Sequence, residues 1–134
     1  MAGYLTIGID TSGGMLRRAK RRCRSLESTL LVQTSGSDLS MFADCTFDAV
    51  LAIDSYPYIV AADRELAEAH MREAARVLRS QGSFVILNYS YRDDAALDAH
   101  EIARLATECG LSIIRSGTHD FALWDARTYL MRKS

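Results

Sequence analysis

Proline is nearly absent from the chain: Pro57 stands alone in 134 residues. With no Ser/Gly-rich tract and no internal repeat, nothing marks a linker. The length suits one domain, residues 1–134, with a moderate core. Cysteine is scarce as well. Cys23, Cys45 and Cys109 are odd in number and lack CxxC spacing. That argues against a disulfide framework or a zinc site and reads as reduced thiols. No His/Cys/Asp cluster has metal-ligand spacing, so no metal is expected. No apolar run is long enough to span a bilayer, and no charged segment followed by an apolar one opens the chain. The expectation is a cytoplasmic protein without a membrane partner. A dominant charge is missing too. Sixteen Lys and Arg against 17 Asp and Glu leave a net charge of -1, so no global field draws nucleic acid.

Apolar residues make up 49% and charged residues 25%, an ordinary globular composition. Residues 4–9 (YLTIGI) form a short apolar run, read as a strand buried on both faces. Thr11 or Ser12 can cap a helix over residues 14–24. Its Met15, Leu16, Ala19 and Cys23 fall at helical spacing and are expected to face a sheet. Its basic residues, Arg17, Arg18, Lys20, Arg21, Arg22 and Arg24, read as a solvated face. Residues 28–33 give a second strand. Residues 47–53 (FDAVLAI) give a third, whose near-continuous apolar run suggests a central place in a parallel sheet.

A loop is expected over residues 53–60, with Pro57 biasing Tyr56 toward an extended conformation. A long helix follows over residues 62–80, closed by Gln81 and a left-handed Gly82. Residues 83–89 form the fourth strand. A second long helix is capped by Asp93 or Asp94 and ended by Gly110. Residues 111–116 form the fifth strand, and residues 121–132 contain a sixth, antiparallel one. Phe121 and Trp124 are expected to pack there. The alternation is that of an α/β domain with a mostly parallel sheet. Ligands then belong beyond the carboxyl ends of the strands, near Asp10, residues 35–39, residues 54–58 and residues 88–91.

Three segments, in this order, carry a family resemblance: GIDTSGGMLRRAKRR (8–22), TFDAVLAIDSYPYI (46–59) and EAARVLRSQGSFVILNYSY (73–91). Together they resemble the class I S-adenosylmethionine-dependent methyltransferases, from that family's second strand onward. The resemblance implies a Rossmann-like three-layer α/β sandwich with an antiparallel C-terminal strand. It implies S-adenosylmethionine as cofactor and a small-molecule methyl acceptor as partner. Carried over residue by residue, Asp10 would accept the ribose hydroxyls and Met15 would pack against the adenine. Ser37, Asp38 and Leu39 would line the adenine side. Ala52 and Ile53 would pass beneath the methionine part. Asp54, Tyr56 and Tyr58 would border the acceptor, with Tyr89 and Tyr91 as further candidates for an aromatic wall. Asp54, Tyr58 and His119 are the candidate catalytic residues, His119 as a general base. His70 and His100 lie on helical segments and read as packed or solvated.

One part of the family pattern is missing. The first strand of such domains ends in a glycine-rich turn that lets the backbone approach the cofactor. Here Gly3 and Gly8 lie before and within the first strand, and Gly13 and Gly14 follow the acid. The chain therefore reads as an N-terminally truncated domain lacking one strand and one helix. In the family that strand lies mid-sheet, between the strands at residues 5–9 and 47–53. Its absence leaves a gap, a direct pairing of those two strands, or a place filled by a second chain or a second copy. The function expected is methyl transfer to a small molecule. Its rivals are a non-catalytic partner subunit and a different nucleotide-binding α/β protein in which Asp10 meets another ribose.

Overall fold

The computed structural model describes residues 3–122 and 125–134. β1 (Thr6–Asp10) leads into α1 (Gly13–Arg22), and β2 (Thr29–Gln33) pairs with β1 in parallel, from Thr6 opposite Thr29 to Asp10 opposite Gln33. Ser12 is the residue that caps α1, its hydroxyl accepting the Met15 N–H at 3.3 Å. Two expectations fail in this part. β1 is not buried on both faces, since Ile9 is exposed, and of the residues expected to face a sheet from α1, Leu16, Ala19 and Cys23 are only half-buried. Met15 in particular is 52% exposed rather than turned to a sheet. Two strands present too narrow a surface to cover a helix face or one another.

The remaining strands form a second sheet. Its order is β3 (Phe47–Ile53), β4 (Leu78–Leu87), β6 (Thr128–Lys133), β5 (Leu111–Thr118). β3 and β4 are parallel, and β6 is antiparallel to both β4 and β5. Hence β3, β4 and β5 run one way and β6 alone runs against them, as expected for the C-terminal strand. With α2 (Tyr56–Ala62), α3 (Arg64–Val77) and α4 (Ala95–Glu108) in the crossovers, the fold is Rossmann-like α/β.

The core fills one face of this sheet. Phe84 and Ile86 of β4 stand opposite Met131 and Tyr129 of β6, and all four point the same way. They meet Met71, Ala74 and Ala75 of α3 and Ile102, Leu105 and Ala106 of α4, each set at helical spacing. Leu51 and Ile53 of β3 point to the other face and are 62% and 59% exposed. β3 is thus an edge strand, not a central one. Its apolar run reads as central because both of its faces are apolar. Its outer neighbour, however, is missing: β1 and β2 form their own sheet and do not pair with it. Of the outcomes open to the sequence, direct pairing of β1 with β3 is ruled out.

Between β3 and β4 the chain makes two helices where a loop and one helix were expected. Tyr56 and Pro57 open α2, where the missing proline N–H costs no helical hydrogen bond. Tyr56 is helical because burying its ring outweighs the local bias from the following proline. Asp63 separates the helices and caps α3, accepting the Glu65 N–H at 3.0 Å. α3 stops at Val77, short of residue 80, because Leu78 turns extended to begin β4. The left-handed residue is Gln81 (φ 63°) and not Gly82. Gly82 is needed for closeness instead: a Cβ there would lie 2.8 Å from the Arg79 carbonyl oxygen and 3.2 Å from that of Asp48. α4 is capped by Asp94, which accepts the Leu97 N–H at 3.0 Å, and the helix is closed by Gly110 at φ 70°. Phe121 is exposed rather than packed, and Trp124 lies outside the described residues. No helix among the described residues is long and apolar enough to cross a membrane.

Candidate functional site

The carboxyl end of β1 carries the first group. Asp10 is half-buried, and its Oδ1 accepts the Ser12 N–H at 2.7 Å, closing a tight turn that fixes the carboxylate. Gln33, opposite Asp10 on β2, steadies this turn by donating its side-chain amide to the Thr11 carbonyl at 3.1 Å. The other oxygen of Asp10 has no protein donor among the described residues.

Residues 34–46 run from β2 across to α3 and are clamped there. Arg76 donates to both oxygens of Glu73 at 2.7 and 2.9 Å, to Asp44 at 2.7 Å, and to the carbonyls of Leu39 and Phe42 at 2.9 and 3.0 Å. Glu73 in turn accepts the Leu39 N–H at 2.7 Å. The Arg76 guanidinium holds the Glu73 carboxyl below the usual range. Leu39 is buried by this clamp, so its side chain serves packing. The Ser35 and Ser37 hydroxyls share a hydrogen bond of 2.8 Å. Asp38 keeps an exposed carboxylate, which accepts the Ser40 N–H at 3.1 Å and is shifted down by that contact. Beneath the loop, Gly36 lies against the His70 ring, and His70 Nδ1 is bonded to the Leu66 carbonyl at 2.8 Å. His70 is therefore a packed residue.

The carboxyl ends of β3 and β4 carry a second group. Asp54 (φ 50°) and Asn88 (φ 69°) both leave their strands in the left-handed conformation. Asp54 Oδ1 accepts the Asn88 side-chain amide at 2.9 Å and the Tyr91 hydroxyl at 2.8 Å. The carboxylate next to the Tyr91 hydroxyl pushes its pKa up. Tyr58 meets Tyr91 edge to face, with ring centroids 6.0 Å apart, and both rings are exposed. The other two tyrosines considered for an aromatic wall belong to the core: Tyr56 and Tyr89 stack at 5.5 Å, and both are buried. Ala52, one residue before the turn, packs against the core cluster from the face opposite to Leu51 and Ile53.

Asn88 and Tyr91 also line a cleft of about 350 Å³. Its first wall is the segment from β4 into α4, and its second is formed by His119, the approach to β6 and Tyr129. Asp54 and Tyr58 are thus brought together through Tyr91, while His119 stands across the cleft. Asp98, on this wall, was not singled out from the sequence. Its carboxylate is buried, accepting the Ser90 hydroxyl at 2.8 Å and Arg92 at 2.6 Å, and Arg92 also binds Glu101. A signal was present: Asp98, Ile102, Leu105 and Ala106 share one helical stripe, and a carboxylate on a buried stripe needs a cationic partner.

The model of the family described as "Methyltransferase domain" matches residues 1–86 of the chain. Among solved structures, the chain is similar to a SAM-dependent methyltransferase from Methanosarcina mazei, with a TM-score of 0.72 and 16% identity over 95% of this chain and 81% of the other. The N-methyltransferase NodS from Bradyrhizobium japonicum, in complex with S-adenosyl-L-homocysteine, gives 0.71 and 17% over 95% and 65%. The magnesium protoporphyrin IX methyltransferase from Synechocystis, with bound SAM, gives 0.71 and 18% over 98% and 61%. A comparison with curated proteins returned no match.

Proposed function

The chain belongs to the class I S-adenosylmethionine-dependent methyltransferase family, and from that premise we propose that it is a single cytoplasmic domain that binds S-adenosylmethionine and serves methyl transfer to a small-molecule acceptor. The observation that carries this reading is Asp10. A carboxylate at the carboxyl end of a parallel strand, pinned through one oxygen by the Ser12 N–H, keeps its other oxygen for a ligand hydroxyl. That acceptor fits a hydroxyl of a ribose diol. Met15, exposed one turn into α1, offers an apolar surface for the adenine, and Ser37 and Asp38 offer polar atoms beside it. Leu39 and Ala52 shape the site from within the packed structure. When bound, the cofactor supplies an electrophilic methyl group, so the protein's task is chiefly to position the acceptor. Asp54, held by Asn88 and Tyr91, would anchor a polar group of the acceptor, with Tyr58 flanking it. His119 would take the proton from an acceptor that must lose one. Similar proteins of known structure with bound SAM and S-adenosyl-L-homocysteine support the choice of cofactor.

Calorimetric titration of the chain with S-adenosyl-L-homocysteine tests this reading. Binding is expected to be weak, because no glycine-rich turn stands in this sequence, and to be weaker still in Asp10→Ala. A charge-assisted hydrogen bond is worth about 1.5–3 kcal/mol, so the variant should bind roughly 10- to 150-fold more weakly. An Asp10→Ala variant that binds as well as the parent chain sinks the reading.

A second reading is favoured by the free edge of β3 and the exposed Leu51 and Ile53. In it the chain is a partner subunit, and a second chain or a second copy supplies the missing strand. An open apolar edge strand invites pairing. Size-exclusion chromatography with light scattering discriminates the two, since a strictly monomeric, cooperatively folded chain counts against the partner.

A further inference from the structure

We propose that Arg76 is a positioning residue for the adenine side of the cofactor site, acting through Leu39 to set where the Asp38 carboxylate stands; this rests on the S-adenosylmethionine reading above. A guanidinium carries five N–H donors, and at Arg76 each is spent on a different oxygen. Nε and Nη2 donate to the two oxygens of Glu73, Nη2 also to the Leu39 carbonyl, and Nη1 to the Phe42 carbonyl and Asp44 Oδ1. The side chain has a fixed base. It stands in the last turn of α3, next to Val77 and Leu78, which are fully buried.

Residues 34–46 hold no helix or strand, so this connection has little backbone pairing of its own to keep its shape. Its far end is tied to α3, where the Cys45 and Thr46 N–H groups donate to the Arg76 and Val77 carbonyls at 3.1 and 2.7 Å. Its near end carries Ser37 and Asp38, and Leu39 links the two. Both backbone groups of Leu39 are held: the carbonyl by Arg76 at 2.9 Å, and the N–H by Glu73 Oε2 at 2.7 Å, a carboxylate that Arg76 itself orients. The peptide unit between Asp38 and Leu39 is also held at its other end, since the Asp38 carbonyl accepts the Thr34 hydroxyl at 3.0 Å. A peptide unit is rigid, so holding both ends fixes the Cα of Asp38. Asp38 Oδ1 accepts the Ser40 N–H, and Oδ2 has no donor among the described residues. A carboxylate accepts and does not donate. It therefore suits the exocyclic amine of adenine and disfavours a carbonyl oxygen in the same place, as in hypoxanthine. Such a bond weakens steeply off its axis, so placement decides the discrimination. Lysine cannot replace the clamp. Its ammonium can pair with Glu73, but it lacks the planar fork that also reaches Leu39 and Phe42.

Two thioethers that differ only at the base test the assignment: S-adenosyl-L-homocysteine, with an amine on the ring, and S-inosyl-L-homocysteine, with a carbonyl there. Binding is followed by amide chemical shifts on the intact chain, which register weak complexes. The parent chain is expected to favour the adenosyl compound about ten-fold, the scale of one hydrogen bond to a charged acceptor. Arg76→Lys keeps a cation beside Glu73, so it should fold, and it should lose most of that preference. Glu73→Gln combined with Arg76→Gln removes both charges together, leaves neither unpaired, and should lose the preference too. Asp10→Ala should weaken both compounds alike and keep the preference. Hydrogen exchange without any ligand gives a second readout. The Leu39 amide should exchange about ten-fold faster in Arg76→Lys, while the Met71 and Phe84 amides in the core keep their protection. An Arg76→Lys chain that retains the base preference or the Leu39 protection overturns the proposal. Loss of core protection in both Arg76 variants overturns it as well, by making Arg76 a residue of the fold alone. A parent chain that binds both thioethers equally overturns it while the cofactor reading stands. A parent chain that binds neither overturns the cofactor reading and this assignment with it.

Discussion

Asn88 and Asp54, each the first residue past one of two neighbouring strands, leave the sheet in the same left-handed conformation and are tied by a 2.9 Å hydrogen bond from the Asn88 side-chain amide to Asp54 Oδ1. Asparagine tolerates this conformation better than residues with larger or purely apolar side chains. Replacing Asn88 by Gly or by Ala removes the same hydrogen bond, but only Ala also meets the steric cost. Asn88→Ala is therefore expected to be less stable than Asn88→Gly by about 1 kcal/mol. Urea denaturation of the two variants measures the difference. Equal midpoints would mean that the turn relaxes and that the conformation is not held by its neighbours.

Gly36 and His70 make the second test. A Cβ on Gly36 would sit 2.6 Å from His70 Cδ2 and 3.0 Å from Nε2, and the ring is held by the Leu66 carbonyl. Gly36→Ala should destabilise by about 1–3 kcal/mol, the usual cost of overpacking. In a double-mutant cycle, His70→Ala should remove most of that cost, because the clash has one partner. The same histidine has a pH signature. Burial pushes its pKa down from the ordinary value, so the unfolded chain binds the proton more readily than the folded one. Its contribution to stability is intact above about pH 6.5, where neither state is protonated, and is lost as pH falls below that value. His70→Gln should flatten this part of the stability profile below about pH 6.5.

Much of this arrangement was legible in the sequence. The acid at the end of the first strand, a cap at Thr11 or Ser12, another at Asp93 or Asp94, and the Gly110 stop rest on local chemistry that needs no tertiary context, whereas the antiparallel last strand rests on analogy with mixed α/β sheets. The errors lie where tertiary context decides. The apolar run of β3 states that the strand has two apolar faces, not that both are covered. Tyr56 entered a helix against the bias of Pro57 because the core takes its ring. Asp98 escaped notice because a single carboxylate among apolar positions is decided by Arg92, a residue outside the helix.

Tyr56 itself gives the third test. Its hydroxyl is buried without a partner among the described residues, and burial pushes its pKa far up. Leaving such a hydroxyl unpaired costs about 1–3 kcal/mol, and replacing it with hydrogen keeps the ring and its stacking on Tyr89. Tyr56→Phe should be neutral or more stable, by up to about 1 kcal/mol, in thermal and urea unfolding. Clear destabilisation would show that the hydroxyl has a partner, such as an ordered water.

Leu51 and Ile53 offer the fourth. Both lie on the open face of β3, 62% and 59% exposed, at the edge of a sheet whose opposite face holds the core. Their register neighbours on β4 are Val85 and Leu87, so the apolar surface continues inward from the edge. Edge strands that stay soluble alone commonly carry lysine at such positions. Leu51→Lys with Ile53→Lys removes no buried contact and should leave the melting temperature of the core within about 2 °C, the scale expected of surface substitutions. Self-association of the parent chain, followed by light scattering over a concentration series, should fall sharply in the double variant. A large loss of stability would mean that these side chains are already covered within one chain. An unchanged association would place the contact elsewhere and remove the main support for a subunit that completes the sheet.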